Sequence, residues 1–485
     1  MLPTRTHSFR LAEVISALTY ALDLTEGQRP GHTLRTALIA MRLGVELDLD
    51  GPTLGALYYA SLLKDAGCSS NAARMAALFG SSDQDVKRDM RLVDWHDRWR
   101  LAMRTASNCG VGRSPIARIQ HFLRIARTPQ MTREIIQARC ERGAQIAVAL
   151  GFPQQTSEAI GHVDEHWCGL GHPAGLAGDA IPLLSRVLLV AQTFEAFWTE
   201  HGLRPALAML RARSGRWFDP SMVARITAWR RDQPWWTRLA DADRLDDAVL
   251  ALEPGGTPIV ATEERLDAIA QAFAAVIDAK TPFTYRHSTN VARYAVAIAH
   301  SCGVSAEVAR DIRRAGLLHD IGKLGVSNTI LDKPARLTDD ERAEIMKHPR
   351  WTLKILERVS AFRHFADASA HHHERLDGGG YPWGLSAEAL DLTARVLAIA
   401  DVYEALTADR PYREAMSVER VLGIMTRDRA TAFDGPLLDI ACGLAEDGTF
   451  ARLASSTGDP VDQLQRIVLS DASHVAPARP LRIVA

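Results

Sequence analysis

LLHDIGK occupies residues 317–323, and LLKDAGC occupies residues 62–68. The two heptapeptides are copies of one segment, because the alignment extends without gaps from Leu11–Gly67 onto Leu266–Gly322 at an offset of 255 residues. In that register Leu11, Val14, Leu18 and Leu22 fall on Leu266, Ile269, Phe273 and Ile277, and His32 falls on His287. Steps of three and four between apolar residues make one face of an amphipathic helix in each copy. Farther on the register changes: GLGHP (169–173) matches GGGYP (378–382), and RVLLVAQTFEA (186–196) matches RVLAIADVYEA (395–405), both at an offset of 209. The first copy therefore holds 46 extra residues, 255 minus 209, which fall within residues 69–130. A repeat of this length organises the chain as two versions of one domain. Period-two strand patterns are scarce and helical periods dominate both halves, so the expected fold is all-α, two tandem helical domains. The expected bounds are 1–249 for the first domain, 250–262 for a Pro- and Gly-interrupted linker, 263–450 for the second domain and 451–485 for a mobile tail.

The totals narrow the function. A chain of 485 residues with 57 basic and 58 acidic side chains has no global charge to draw it onto DNA or an anionic membrane. No run of 18 apolar residues and no leader-like N-terminus is found, so a cytoplasmic location is expected. The six cysteines are scattered without a C-x-x-C pair. That pattern argues against a disulfide framework or a thiolate zinc site, and leaves histidine and carboxylate to hold any metal.

Such ligands recur in the second copy: His287, His319, Asp320, His348, His372, His373 and Asp401. Five imidazoles and two carboxylates exceed what one four-coordinate ion needs, but suit two adjacent ions bridged by Asp320. Lys323, one helical turn after His319, sets a cation where a substrate phosphate would sit. Mixed imidazole and carboxylate ligands favour Fe or Mn, with Zn also admissible, over Mg or Ca. The plain alternative for His319 and Asp320, a buried polar pair at a helix end, does not account for the five other ligand types.

HDIGK, HHERLDGGGYP and ADVYEALTADRPYR, in this order and spacing, resemble the HD-GYP family, a branch of the HD phosphohydrolase superfamily acting on cyclic dinucleotides; the resemblance spans Phe283 to Ala445. It implies His287, His319, Asp320 and Asp401 at one metal, and Asp320, His348, His372 and His373 at the other. It further implies Lys323 on the scissile phosphate, with Asp320 as the other catalytic residue. Substrate contacts would come from the Gly380-Tyr381-Pro382 loop and from Arg410 and Arg413 on the second phosphate. Family members with a third metal carry a glutamate where this chain has Phe283, so two divalent ions are expected. The implied activity is metal-dependent hydrolysis of cyclic di-GMP or a related cyclic dinucleotide to a linear dinucleotide or mononucleotides. A signalling partner such as a diguanylate cyclase and a homodimer are further expectations. The competing readings are a phosphohydrolase acting on a linear nucleotide or phosphomonoester, and a signalling adaptor that binds a partner protein.

The first copy reads as a degenerate HD domain. His319 corresponds to Lys64, Lys323 to Cys68, His348 to Arg139, His372 to Val163, His373 to Asp164 and Asp401 to Gln192; only His32 and Asp65 survive. A regulatory, dimerising or stabilising role is expected of it. His371 is read as a neighbour of the site, and His162, His166 and His172 as too poorly spaced for a second metal cluster. Trp217, Trp229, Trp235 and Trp236 are expected to pack in the core or between domains. Tyr381 stays open between recognition and a loop role.

Overall fold

The computed structural model describes residues 9–254, 259–284, 286–410 and 413–456. It is all-α as expected; the strands among the described residues are Phe9–Arg10 and Val260–Ala261, two residues each, paired antiparallel. Helices begin where short polar side chains accept orphan backbone N–H groups. Asp50 caps Gly51–Leu63, Ser305 caps the corresponding Ala306–Leu318, Asp391 caps Leu392–Thr407 and Asp434 caps Gly435–Glu446.

The repeat holds helix by helix. Leu11–Thr25, His32–Glu46 and Gly51–Leu63 answer to Glu263–Asp278, His287–Ser301 and Ala306–Leu318, and Leu183–His201 answers to Leu392–Thr407. Two glycines verify the register where sequence matching is weakest. A Cβ on Gly67 would stand 2.0 Å from the Arg139 carbonyl oxygen, and one on Gly322 2.0 Å from that of His348. Only glycine permits this backbone approach, and it pairs Arg139 with His348. The loops match too: the His172–Pro173 and Tyr381–Pro382 peptides are both cis. Ala72–Phe79, Asp83–Arg91, Arg98–Asn108 and Pro115–Arg127 lie in the stretch where the first copy is longer.

The copies share one core, which runs from Leu18 and Phe194 to Phe273 and Phe362. Their first helices pack within their own copies and also reach across to the other. Leu11–Thr25 packs on Ile321–Gly325 and His348–Leu356 of the second copy, while Glu263–Asp278 packs on Cys68–Asn71 and Pro129–Ala149 of the first. Tyr20 lies under Lys354 and Arg358, and Arg265 reciprocally over Phe152. Thirteen of the fifteen residues of Leu11–Thr25 are buried, so the helix is covered nearly all round and not only along its apolar stripe. Residues 451–455, read from sequence as tail, continue the helix Thr449–Ser455, and its Phe450 packs on Tyr294 and Tyr403. The rest of the expected tail, 457–485, and residues 255–258 of the expected linker lie outside the described residues. No helix among the described residues is long and apolar enough to cross a membrane.

Candidate metal centre

The seven proposed ligands come from five segments that meet at one buried point. His287 opens its helix, His319 closes Ala306–Leu318 and Asp320 follows it. His348 opens His348–Leu356, His372 and His373 form a single turn, and Asp401 lies in Leu392–Thr407. His287, His319 and Asp401 bring ligand atoms within 4.8 Å of one another, and so do His348, His372 and His373. Asp320 stands between the two sets. Its Oδ2 lies 3.2 Å from His287 Nε2 and 3.3 Å from His319 Nε2, and its Oδ1 lies 3.4 Å from His348 Nε2 and 3.7 Å from His372 Nε2. Asp401 likewise turns Oδ1 to His287 at 3.3 Å and Oδ2 to His373 Nδ1 at 3.8 Å.

Surrounding bonds aim these rings. The Nδ1 atoms of His319, His348 and His372 each meet the carbonyl three residues earlier, of Gly316, Ile345 and Ser369, all at 2.7 Å. Each Nε2 is thereby left for the centre, the arrangement common to metal-ligating imidazoles. His287 instead gives Nδ1 to the Glu404 carboxylate. Glu404 escaped the sequence reading, although the aligned FEA and YEA triplets carry it in both copies as Glu195 and Glu404.

The residues fit a metal. His287 Nε2, His319 Nε2 and Asp320 Oδ1 are buried and make no hydrogen bond, a costly state unless something else satisfies them. Burial pushes His348 and His372 down and His373 to about 3, which keeps all three in the neutral, ligating form. Burial also disfavours charge on His319, but Asp320 and Asp401 outweigh it and hold the imidazole up at about 9. Burial would raise Asp320, yet His319 and Lys323 keep it well below the usual carboxylate range.

Lys323 Nζ lies 2.6 Å from Asp320 Oδ2 and is 22% exposed, so it borders the centre and faces outward. Tyr381 stacks on His373 at 4.7 Å between ring centroids, and its N–H donates to the His373 carbonyl. Gly380 has no room for a side chain, since a Cβ would meet the Glu374 Cα at 2.5 Å. The Glu374 carboxylate accepts from Trp383 N and Leu385 N, tying down the far side of the loop. Arg410 donates to Glu404 at 3.1 Å and to the Phe283 carbonyl at 3.2 Å, whereas Arg413 donates to the carbonyls of Ala405, Leu406 and Glu414. His371 packs on Trp383, beside the centre.

In the first copy the same framework surrounds different chemistry. His32 Nδ1 still meets Glu195, but Lys64 Nζ bonds Asp65 and stands 3.3 Å from His32 Nε2. Arg91, from the longer stretch, reaches His32 Nε2 at 2.8 Å and Glu26 at 2.6 Å, and Arg139 pairs with Asp164. Glu26, Asp65 and Cys68 do approach one another. Their positive partners are already side chains: burial would raise Glu26, but Lys87 and Arg91 hold it at about 2. His162, His166 and His172 form no ligand group among the described residues; His166 stacks on Trp217 at 3.9 Å. Trp217, Trp229, Trp235 and Trp236 are all buried.

Comparison with known proteins finds relatives along both copies. The 3'3'-cGAMP-specific phosphodiesterase 3 of Vibrio cholerae is 40% identical over 429 residues, which cover 88% of this chain and 93% of that protein. A cyclic di-GMP phosphodiesterase of Pseudomonas aeruginosa is 41% identical over 143 residues, 29% of this chain and 34% of that protein. The solved structure of a cyclic GMP-AMP specific phosphodiesterase of V. cholerae, V-cGAP3, superposes with a TM-score of 0.64 at 35% identity, covering 90% of this chain and 98% of that one. The family model described as HD domain matches twice, at residues 68–222 and 271–437. This chain therefore belongs to the HD domain family, as a tandem of a degenerate first copy and a second copy of HD-GYP type.

Proposed function

We infer that the second copy is a two-metal phosphodiesterase that opens a cyclic dinucleotide, with 3'3'-cGAMP as the assigned substrate and cyclic di-GMP as the runner-up. The observation that carries this reading is Asp320, whose two oxygens face two separate sets of imidazoles while Lys323 stands at its rim. His287, His319, Asp320 and Asp401 would hold one divalent ion, and Asp320, His348, His372 and His373 the other. When bound, such ions supply Lewis-acid activation of a phosphodiester and of water. Lys323 offsets charge on the scissile phosphate, an effect worth most in a partly dry site. Tyr381, held against His373 by its backbone and its ring, lines the approach for a base or ribose. Arg410 and Arg413 would meet the second phosphate only by exchanging their present carbonyl partners for it. Support for the choice of base comes from the relative aligned along 93% of its own length, which bears the cGAMP name. Relatives named for cyclic di-GMP keep that substrate as second choice.

The test is turnover by the Mn- or Fe-loaded protein on 3'3'-cGAMP, cyclic di-GMP, a chromogenic phosphodiester and a phosphomonoester. We expect both cyclic dinucleotides to open to linear products with a 5'-phosphate, cGAMP the faster. Hydrolysis of the monoester alone would instead establish the linear-nucleotide phosphohydrolase reading.

A further inference from the structure

Between Asp97 and Glu134 the chain carries eight arginines and no lysine, aspartate or glutamate, a local excess that the near balance of 57 basic and 58 acidic side chains conceals. The segment includes the helices Arg98–Asn108 and Pro115–Arg127, which lie in the stretch where the first copy is longer. Nothing in the second copy answers to them.

Both helices turn apolar side chains outward. In Pro115–Arg127, Phe122 and Ile125 pack against the small cluster that holds Leu78 and Phe79, yet none of the thirteen residues is buried. Ile116, Ile119 and Leu123, spaced by three and four, share the opposite face and are 70%, 59% and 42% exposed. Trp99 and Met103, one turn apart on Arg98–Asn108, are 73% and 53% exposed, and Val111, between the helices, is 60% exposed. Six of the fifteen exposed large apolar side chains among the described residues thus fall within twenty-five consecutive positions. Scattered ones need no explanation, but a stripe of them marks an interaction surface. The charges beside it are largely uncompensated. Arg100 and Arg104 pair with Asp97 and Asp89, whereas Arg98, Arg113, Arg124 and Arg127 have no carboxylate partner among the described residues. Arg127, four residues past Leu123, continues the apolar stripe with a guanidinium.

We propose that these two helices dock the protein on an anionic phospholipid bilayer, the apolar side chains entering the headgroup region and the arginines resting on lipid phosphates. Charge complementarity calls for an anionic partner. The interleaved apolar side chains select a bilayer over a nucleic acid, whose phosphates would take the arginines but leave tryptophan, methionine and the aliphatic chains in water. A basic helix with Trp, Ile and Leu on its outer face meets both requirements at a lipid interface. A second copy docked through the same faces would oppose arginine to arginine. No helix among the described residues is long and apolar enough to cross a membrane, so the contact is peripheral.

The experiment is cosedimentation of the full chain with sucrose-loaded vesicles, of phosphatidylcholine alone or of equal parts phosphatidylcholine and phosphatidylglycerol. We expect binding to the mixed vesicles at least tenfold tighter than to phosphatidylcholine, and weaker in high salt, which screens surface charge. Ile116→Ser with Ile119→Ser and Leu123→Ser, and separately Arg113→Gln with Arg124→Gln and Arg127→Gln, should each lower it at least tenfold. All six side chains are exposed, so an unchanged melting temperature should show both variants folded; Trp99→Ser with Met103→Ser, on the other helix, stands in if one is not. Absence of binding to the mixed vesicles would overturn the proposal, and so would equal binding by either folded triple variant. Tighter binding to double-stranded DNA than to vesicles, lost only in the arginine variant, would overturn it in favour of a nucleic acid. A dimer that the apolar variant dissociates, without vesicle binding, would overturn it in favour of a second copy.

Discussion

His32 and His287 occupy the same place in two copies of one fold, and each gives Nδ1 to a buried glutamate. What faces the other nitrogen differs. Around His287 Nε2 stand the carboxylates of Asp320 and Asp401; around His32 Nε2 stand the ammonium of Lys64 and the guanidinium of Arg91. The scaffold that aims the ring is kept in both copies, and only the source of positive charge has changed. Buried carboxylates without a cation cost several kcal/mol. A copy that loses its imidazoles must therefore find cations elsewhere, and the first copy finds them in Lys64, Lys87, Arg91 and Arg139. With side chains in those places, restoring a single ligand, as in Lys64→His, should leave the first copy without bound metal in a metal analysis.

Mutations can break this comparison, beginning where the effect is largest. His319→Ala with Asp320→Ala should abolish turnover, whereas Lys64→Ala with Asp65→Ala should leave the folded protein active; comparable rates in the two double variants would end the division of labour. Next, Lys323→Ala should keep its metal and lose about 2–4 kcal/mol of transition-state stabilisation, the usual cost of one electrostatic donor. An unchanged rate on the cyclic dinucleotide would remove Lys323 from the chemistry. The smallest effect separates the two glutamates. Glu404→Gln should weaken metal affinity by roughly 10- to 100-fold, as losses of such orienting partners do. Glu195→Gln should leave metal affinity alone and lower the melting temperature, because His32 and Arg35 lose the carboxylate they share. Equal metal affinities for the two variants would mean that Glu404 does not orient a ligand.

The sequence made the fold legible through the repeat, since helical periods and a gapless register survive even where ligands do not. The seven candidate ligands were legible as residue types at set spacings, and the structure brings them together. Less visible was anything that depends on where a side chain turns. Glu404 looks like an ordinary helix residue until the fold sets it against His287. Arg91 lies in the stretch without a counterpart, so no alignment could pair it with the lost site. Arg410 and Arg413 were read as contacts of the second phosphate, and the sequence did not tell that their guanidinium groups also hold backbone carbonyls at the end of Leu392–Thr407. The contact of each first helix with the other copy was equally hidden, because an apolar stripe tells that a helix packs and not which partners cover it.

Anomalous scattering from crystals of the metal-loaded protein tests the central claim most directly. The account predicts two peaks per chain, one on either side of Asp320, and none between His32 and Asp65. A peak in the first copy, or no peak beside Asp320, would contradict it.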